Sequence, residues 1–249
     1  MTASNGIRLG TSGWSYDHWA GVLYPPGLPT AKRRGIYVEQ FDTVELNASF
    51  YRWPGERPFH TWGEVLPDGF TMSVKASRWI THGRRLVDPD GAWARRLTTA
   101  MRALDGHAGV VLLQLPPDFA CSEQTAVRLR TFLASLAEEL KVAVELRHPS
   151  WDREETYRLL DEQRAAYVVM SGARLPCVLR ASADFVYVRW HGPSHEHLYT
   201  GSYSEDDLRW WADRIREWRA QGREVWGYFD NDEKGYAVEN CRRLRELLA

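Results

Sequence analysis

At 249 residues, with 44% hydrophobic and 26% charged side chains, the chain has room for one (β/α)₈ barrel or two small domains. Its formal net charge of −1 gives no global attraction to nucleic acid or to an anionic membrane, so a nucleic-acid role needs a local basic patch. No apolar run is long enough to span a bilayer, residues 1–6 lack the pattern of a signal peptide, and Cys121, Cys177 and Cys241 lie far apart without a CxxC. These features predict a cytoplasmic protein in a reducing compartment, with no membrane partner, no disulfide framework and no cysteine-ligated zinc.

In chain order, β-branched runs predict strands at 7–10, 43–47, 71–75, 109–115, 142–147, 166–170, 185–191 and 224–229. Helical patterns fill most of the gaps. The segment 123–140 carries a stripe of Leu129, Phe132, Leu133, Leu136 and Leu140 at 3.6-residue spacing. In 204–220, Ser204 and Asp207 have capping-box spacing, Leu208, Trp211, Ile215 and Trp218 form the stripe, and Gly222 is the stop. Weaker helical patterns cover 92–104, 153–164 and 237–248; 32–40 and 59–65 are short, and 174–183 is barely helical. No linker, repeat or low-complexity tract divides the chain, so residues 1–249 are expected to form a single domain. Eight strands, each followed by a crossover, predict an α/β fold of one parallel eight-stranded TIM-type barrel. The rival open doubly wound sheet needs a glycine-rich phosphate turn after the first strand; Gly10-Thr-Ser-Gly-Trp14 is neither GxGxxG nor a P-loop.

Side chains alternate faces along a strand. Val44 and Leu46 alternate with Glu45 and Asn47, Met72 and Val74 with Ser73 and Lys75, Val144 and Leu146 with Glu145 and Arg147, and Val186 and Val188 with Tyr187, Arg189 and His191. The aliphatic phase is expected to face the helices and the polar phase the lumen. Charges are affordable there only when paired or near water, so they are expected at the C-terminal mouth, where barrel enzymes place their sites. The predicted ring holds Glu45, Asn47, Lys75, Gln114, Glu145, Arg147, Arg189, His191 and Asp230. The loop residues His82, His148, Trp151 and Asn231 join it, with Trp14, Tyr51 and Trp151 as walls. Of the 12 tryptophans, Trp14, Trp19, Trp53, Trp79 and Trp151 fall in predicted loops, where indoles line a cleft or cover the barrel ends.

Two arginines and a lysine around a cleft suit an anionic group. Glu145 or Glu45 with His148 or His191 could move protons. The same residues also suit plain structural pairs, Glu45 with Lys75 and Glu145 with Arg147 or Arg189. Glu45, Glu145, His148, His191 and Asp230 are candidate ligands for a divalent metal, but no HxH or HExxH pair is present and the cations at the mouth compete, so a metal is not the favoured reading. No organic-cofactor motif is found. Ser12 and Ser49 lack the GxSxG elbow, which argues against a serine hydrolase.

These segments resemble the YecE-like family, domain-of-unknown-function family 72. The matching stretches are Gly10-Thr-Ser-Gly-Trp14 with Tyr16 and Trp19, Val44-Glu-Leu-Asn47 with Ser49-Phe-Tyr51, Ser73-Val-Lys75 with Ile80-Thr-His82, and Val111-Leu-Leu-Gln-Leu-Pro-Pro117 with Phe119. Ala143-Val-Glu-Leu-Arg-His148 with Trp151, Tyr187-Val-Arg189 with His191-Gly192, and Tyr228-Phe-Asp-Asn231 with Ala237 and Asn240 complete the set. Ser49 and Asp230 depart from the family's tendency to Thr and Asn. The resemblance implies a TIM-type barrel and no assigned reaction; a nucleic-acid or endonuclease-like role follows only by analogy to other barrels.

Three functions are therefore carried forward, and the sequence leaves open whether the protein is catalytic. The first is an enzyme acting on a small anionic, sugar-like substrate, with Arg147, Arg189 and Lys75 holding the anion. The second is a nucleic-acid-binding barrel with stacking aromatic loops. The third is a non-catalytic ligand-binding barrel. The sequence does not fix an oligomeric state.

Overall fold

The structure, a computed structural model, describes residues 6–249. Eight parallel strands form the wall: β1 Ile7–Thr11, β2 Thr43–Leu46, β3 Thr71–Lys75, β4 Ala108–Gln114, β5 Lys141–Glu145, β6 Ala165–Ser171, β7 Phe185–Trp190 and β8 Glu224–Phe229. Their order around the wall is β1-β8-β7-β6-β5-β4-β3-β2. The helices are α1 Thr30–Gln40, α2 Ala48–Tyr51, α3 Glu56–Val65, α4 Ala92–Ala103, α5 Glu123–Ser135, α6 Glu154–Glu162, α7 Glu205–Ala220 and α8 Tyr236–Leu248. The expected (β/α)₈ barrel is the fold observed.

Seven strand pairs share ladders, while β1 and β2 meet through one parallel bridge, Ser12 with Glu45. The Tyr37 hydroxyl explains the seam. It accepts from the Thr11 amide at 3.0 Å and donates to the Thr43 carbonyl at 3.0 Å, standing in for the ladder between them. Gly10 makes this approach possible, because a Cβ there would sit 2.3 Å from the Thr43 carbonyl oxygen.

Register partners in a parallel sheet share a face, so the ladders identify the inward set. Glu45 pairs with Ser73, Lys75 with Leu112, Gln114 with Glu145, and Arg189 with Met170 on one side and Tyr228 on the other. The alternating aliphatic residues Val44, Val74, Val144 and Val188 are fully buried in the apolar core. The two strong helices start as expected: Ser122 and Ser204 each close a capping box on α5 and α7.

The differences are local. Helix α5 ends at Ser135, not 140, because Leu136 turns extended so that the chain can enter β5 at Lys141; Leu136 and Leu140 still pack on the core from that turn. The crossover between β6 and β7 contains no helix. A five-residue π-turn, Trp79–Gly83, follows β3 where the sequence suggested only a loop. No helix among the described residues is long and apolar enough to cross a membrane.

Candidate functional site

The centre of the lumen is a guanidinium. Arg189, fully buried, places Nε 2.9 Å from Glu45 Oε2 and Nη2 2.7 Å from Glu45 Oε1, a two-point clamp. Its Nη1 donates to Glu145 Oε2 at 2.7 Å, and Nη2 also to Asp230 Oδ2 at 2.8 Å and Ser12 Oγ at 3.2 Å. Three carboxylates from β2, β5 and the end of β8 thus converge on one cation from β7. Burial alone would push the Glu145 and Asp230 carboxyls up. Arg147 and Arg189 overrule it at Glu145, Arg189 and His191 overrule it at Asp230, and both groups stay well below the ordinary carboxylate range.

This corrects the expected anion clamp. Every N–H of Arg189 is directed at a protein acceptor, so it organises the site and has no donor to offer a ligand. Glu45 and Glu145 are fully buried and bound to it, which removes them as groups that touch a substrate in this conformation. The Glu45 carboxylate also accepts from Ser12 Oγ at 2.5 Å and the Tyr187 hydroxyl at 2.8 Å. Glu45, Glu145 and Asp230 point at Arg189, and among the described residues no three His, Cys, Asp or Glu are placed to hold a metal ion.

Around this centre, Arg147 donates from Nε to Glu145 Oε1 at 2.6 Å and from Nη1 and Nη2 to the Tyr199 hydroxyl at 3.2 and 3.3 Å. His191 is fully buried; its Nδ1 lies 3.1 Å from Asp230 Oδ2 and its Nε2 3.6 Å from Glu145 Oε1. Neither is a directed hydrogen bond, and Nδ1 has no well-aligned partner. Gln114 Oε1 lies 3.5 Å from Arg189 Nη1. The expected Glu45–Lys75 pair does not form; both glutamates instead pair with arginine.

Above the network opens a cleft of about 400 Å³, lined by Trp14, Tyr16, Asn47, Tyr51, Lys75, Tyr199, Asp230 and Asp232 among others. Lys75 stands at its floor. Nζ donates to Asn47 Oδ1 at 3.1 Å and lies 4.2 Å from the Phe50 ring centroid, and among the described residues it forms no ion pair. Burial first, and Arg189 second, lower its amine from 10.5 to about 8. Asp232, also in the lining, accepts from Trp19 Nε1 at 2.5 Å and meets His18 Nε2 at 2.9 Å; burial raises its carboxyl to about 6. Trp14 and the exposed Tyr51 line the cleft.

Three loop residues lie elsewhere. His148 caps the short turn Pro149–Trp151, with Nδ1 accepting from the Ser150 amide at 3.2 Å, and takes no part in the ring. Trp151 is buried, stacked 5.7 Å from Phe119 with its indole N–H on the Phe119 carbonyl, so it walls nothing. Asn231 is buried and donates to Gly201 O and Asn240 Oδ1, tying the end of β8 to α8. His82, on the π-turn, sits edge-on to Phe50 at 5.1 Å, with burial and then Lys75 lowering its imidazole. Tyr199 and Asp232 were not among the expected site residues. Asp232 had a signal, two residues beyond Asp230 after β8; Tyr199, in a loop without periodicity, had none.

A cleft of small-molecule size beside a buried ion network, at the C-terminal ends of eight parallel strands, defines a TIM-type barrel with its cleft in the position usual for that fold. Residues 8–249 match the family described as Protein of unknown function DUF72, and the chain belongs to that family, the same one that its motifs resemble. It is 28% identical to the UPF0759 protein YunF of Bacillus subtilis, over 97% of this chain and 94% of that one. The crystal structure of a DUF72 family protein from Thermotoga maritima superposes with a TM-score of 0.87 at 29% identity, covering 97% of this chain and 98% of that one. A DUF72 family protein from Enterococcus faecalis superposes at 0.84 with 18% identity, covering 97% and 95%, and shows the shared fold alone.

Proposed function

We propose that the cleft binds a small anionic substrate and that Lys75 and Asp232 exchange protons with it. The observation that carries this reading is Lys75: a buried ammonium that, among the described residues, has no carboxylate within ion-pair distance and lines a cleft of about 400 Å³. Burying a cation unpaired is costly, and a ligand's anionic group offsets that cost when it arrives. Asn47 is positioned to orient the amine, and the rings of Trp14, Tyr16, Tyr51 and Tyr199 suit the faces of a sugar-like substrate. Two groups lining the same cleft and titrating near 8 and near 6 straddle neutral pH, which suits general acid–base catalysis. Arg189 with its three carboxylates is a positioning network beneath them.

The test is thermal stability of the protein and of Lys75→Met with phosphate, sugar phosphates and small carboxylates. A ligand that binds only the native state raises Tm by mass action. An anion that raises Tm in the parent and not in Lys75→Met supports the reading; equal shifts in both proteins place the anion elsewhere and refute it.

The nucleic-acid alternative rests on a different part of the surface. Half-exposed Trp79 stacks on Trp93 at 5.6 Å and Arg84 lies over the Trp79 ring at 5.2 Å, an aromatic and cationic cluster of the kind that contacts bases and phosphates. Its test is a short single strand whose affinity falls steeply with salt and is lost in Trp79→Ala.

A further inference from the structure

The four lysines of this chain are unequal. Against 28 arginines there are only Lys32, Lys75, Lys141 and Lys234. Lys32 and Lys234 are exposed, and Lys141 is ion-paired with Glu224 at the far end of the barrel. Lys75 alone is buried and lines the cleft. The other two cations of the lumen, Arg147 and Arg189, are arginines. An arginine at 75 would serve as well or better to grip an anion, because its planar fork binds oxygens at two points. What a lysine adds at this position is the ability to lose its proton and become a nucleophile, which a guanidinium does not do.

We infer that Lys75 condenses with the carbonyl carbon of a small 2-oxo acid, or of another carbonyl compound bearing an adjacent anionic group, to form an imine in the cleft. The inference rests on the cleft being the substrate site. The surroundings fit each part of the step. Phe50 packs beside the amine, and the register partner of Lys75 is the apolar Leu112, so the side chain lies in apolar surroundings that disfavour its charged form. Asn47 Oδ1 accepts from Nζ at 3.1 Å, and both residues line the cleft. The free amine's lone pair adds to the carbonyl carbon, and one N–H proton passes to the carbonyl oxygen. A second proton, from the carboxylic acid form of Asp232 or from the ammonium's own earlier loss, lets that oxygen leave as water while the nitrogen forms the C=N bond. Counted from the ammonium, the change consumes one carbonyl compound and releases one water, with no net proton. The nitrogen ends positively charged, so the attraction for the adjacent anionic group survives the bond.

The experiment is reductive trapping. The protein is incubated at pH 8 with pyruvate or glyoxylate and sodium cyanoborohydride, digested, and each lysine peptide is quantified by mass spectrometry, with Lys75→Met in parallel. At pH 8 an amine titrating near 8 holds about a hundredfold more free base than one near 10.5. The expected result is therefore reduced adduct on Lys75 at roughly tenfold or more the rate of Lys32 and Lys234, and background labelling only in Lys75→Met. Adduct on Lys32 and Lys234 with none on Lys75 overturns the inference. If Lys75 stays unlabelled while pyruvate still raises Tm in the parent and not in Lys75→Met, the imine is wrong and the anion cleft stands; if pyruvate and the other anions do neither, both fall.

Discussion

Lys75→Met should make the protein more stable at neutral pH while abolishing its ligand response. The folded amine titrates near 8 where the free amine titrates at 10.5, so between these values the unfolded chain holds more protons than the folded one. The burial of Lys75 therefore costs stability below about pH 8, and the cost is relieved as pH rises from 8 to 10.5. At ~1.36 kcal/mol per pH unit, that difference amounts to roughly 3 kcal/mol. Methionine keeps the aliphatic packing of the stem but forfeits the ammonium over Phe50 and the hydrogen bond to Asn47, each worth about 1 kcal/mol. The net expectation is a gain of about 1–2 kcal/mol at pH 7, a Tm rise of roughly 2–8 °C for a chain of this size. Urea denaturation of both proteins from pH 6 to 10.5 measures it: the gap should be constant well below pH 8, shrink by roughly 3 kcal/mol between 8 and 10.5, and so reverse in favour of the parent. A Lys75→Met protein less stable at pH 7, with a gap independent of pH, refutes the claim that this lysine is an unpaired buried charge.

Arg189→Met should behave oppositely, leaving Glu45, Glu145 and Asp230 buried together without their cation; a loss of about 3–5 kcal/mol or failure to fold is expected, and a loss under about 1 kcal/mol by urea denaturation would contradict the network. Asn231→Ala should cost about 1–3 kcal/mol by breaking the tie to Gly201 and Asn240 while leaving anion-induced Tm shifts intact; loss of the shift in a folded variant would return Asn231 to the cleft. Any turnover found should follow a bell-shaped pH profile with limbs near 6 and 8, because Asp232 and Lys75 change protonation there whichever of them gives up the transferred proton; a flat profile across 5–9 removes both from the chemistry.

The alternation of aliphatic and polar residues in β2, β3, β5 and β7 was enough to name the inward set, and Glu45, Lys75, Glu145 and Arg189 all lie in the lumen. Depth was not legible. A period of two says which face a side chain takes, not how far below the mouth it stands, so the sealed Arg189 and the open Lys75 read alike. Which carboxylates Arg189 would gather was equally hidden, because Glu45 and Asp230 are 144 and 41 residues away along the chain. Loops carry no period at all. His148 was drawn into a local cap by Pro149, Trp151 into the core by Phe119, and Asn231 into a helix tie, each by a neighbour that strand periodicity does not see.

The seam of the barrel has a consequence for how the chain assembles. β1 leads the eight strands in chain order, yet its full ladder is with β8, where Ile7 meets Val225. Toward β2, its neighbour in sequence, it has one bridge and the hydroxyl of Tyr37. β1 must therefore wait for the last of the eight strands to supply the partner that holds it, and closure is the most non-local pairing in the barrel. Ser12 and Glu45 sit on that latch, and Glu45 is where Arg189 is clamped, so the polar centre is completed only when the last strand arrives.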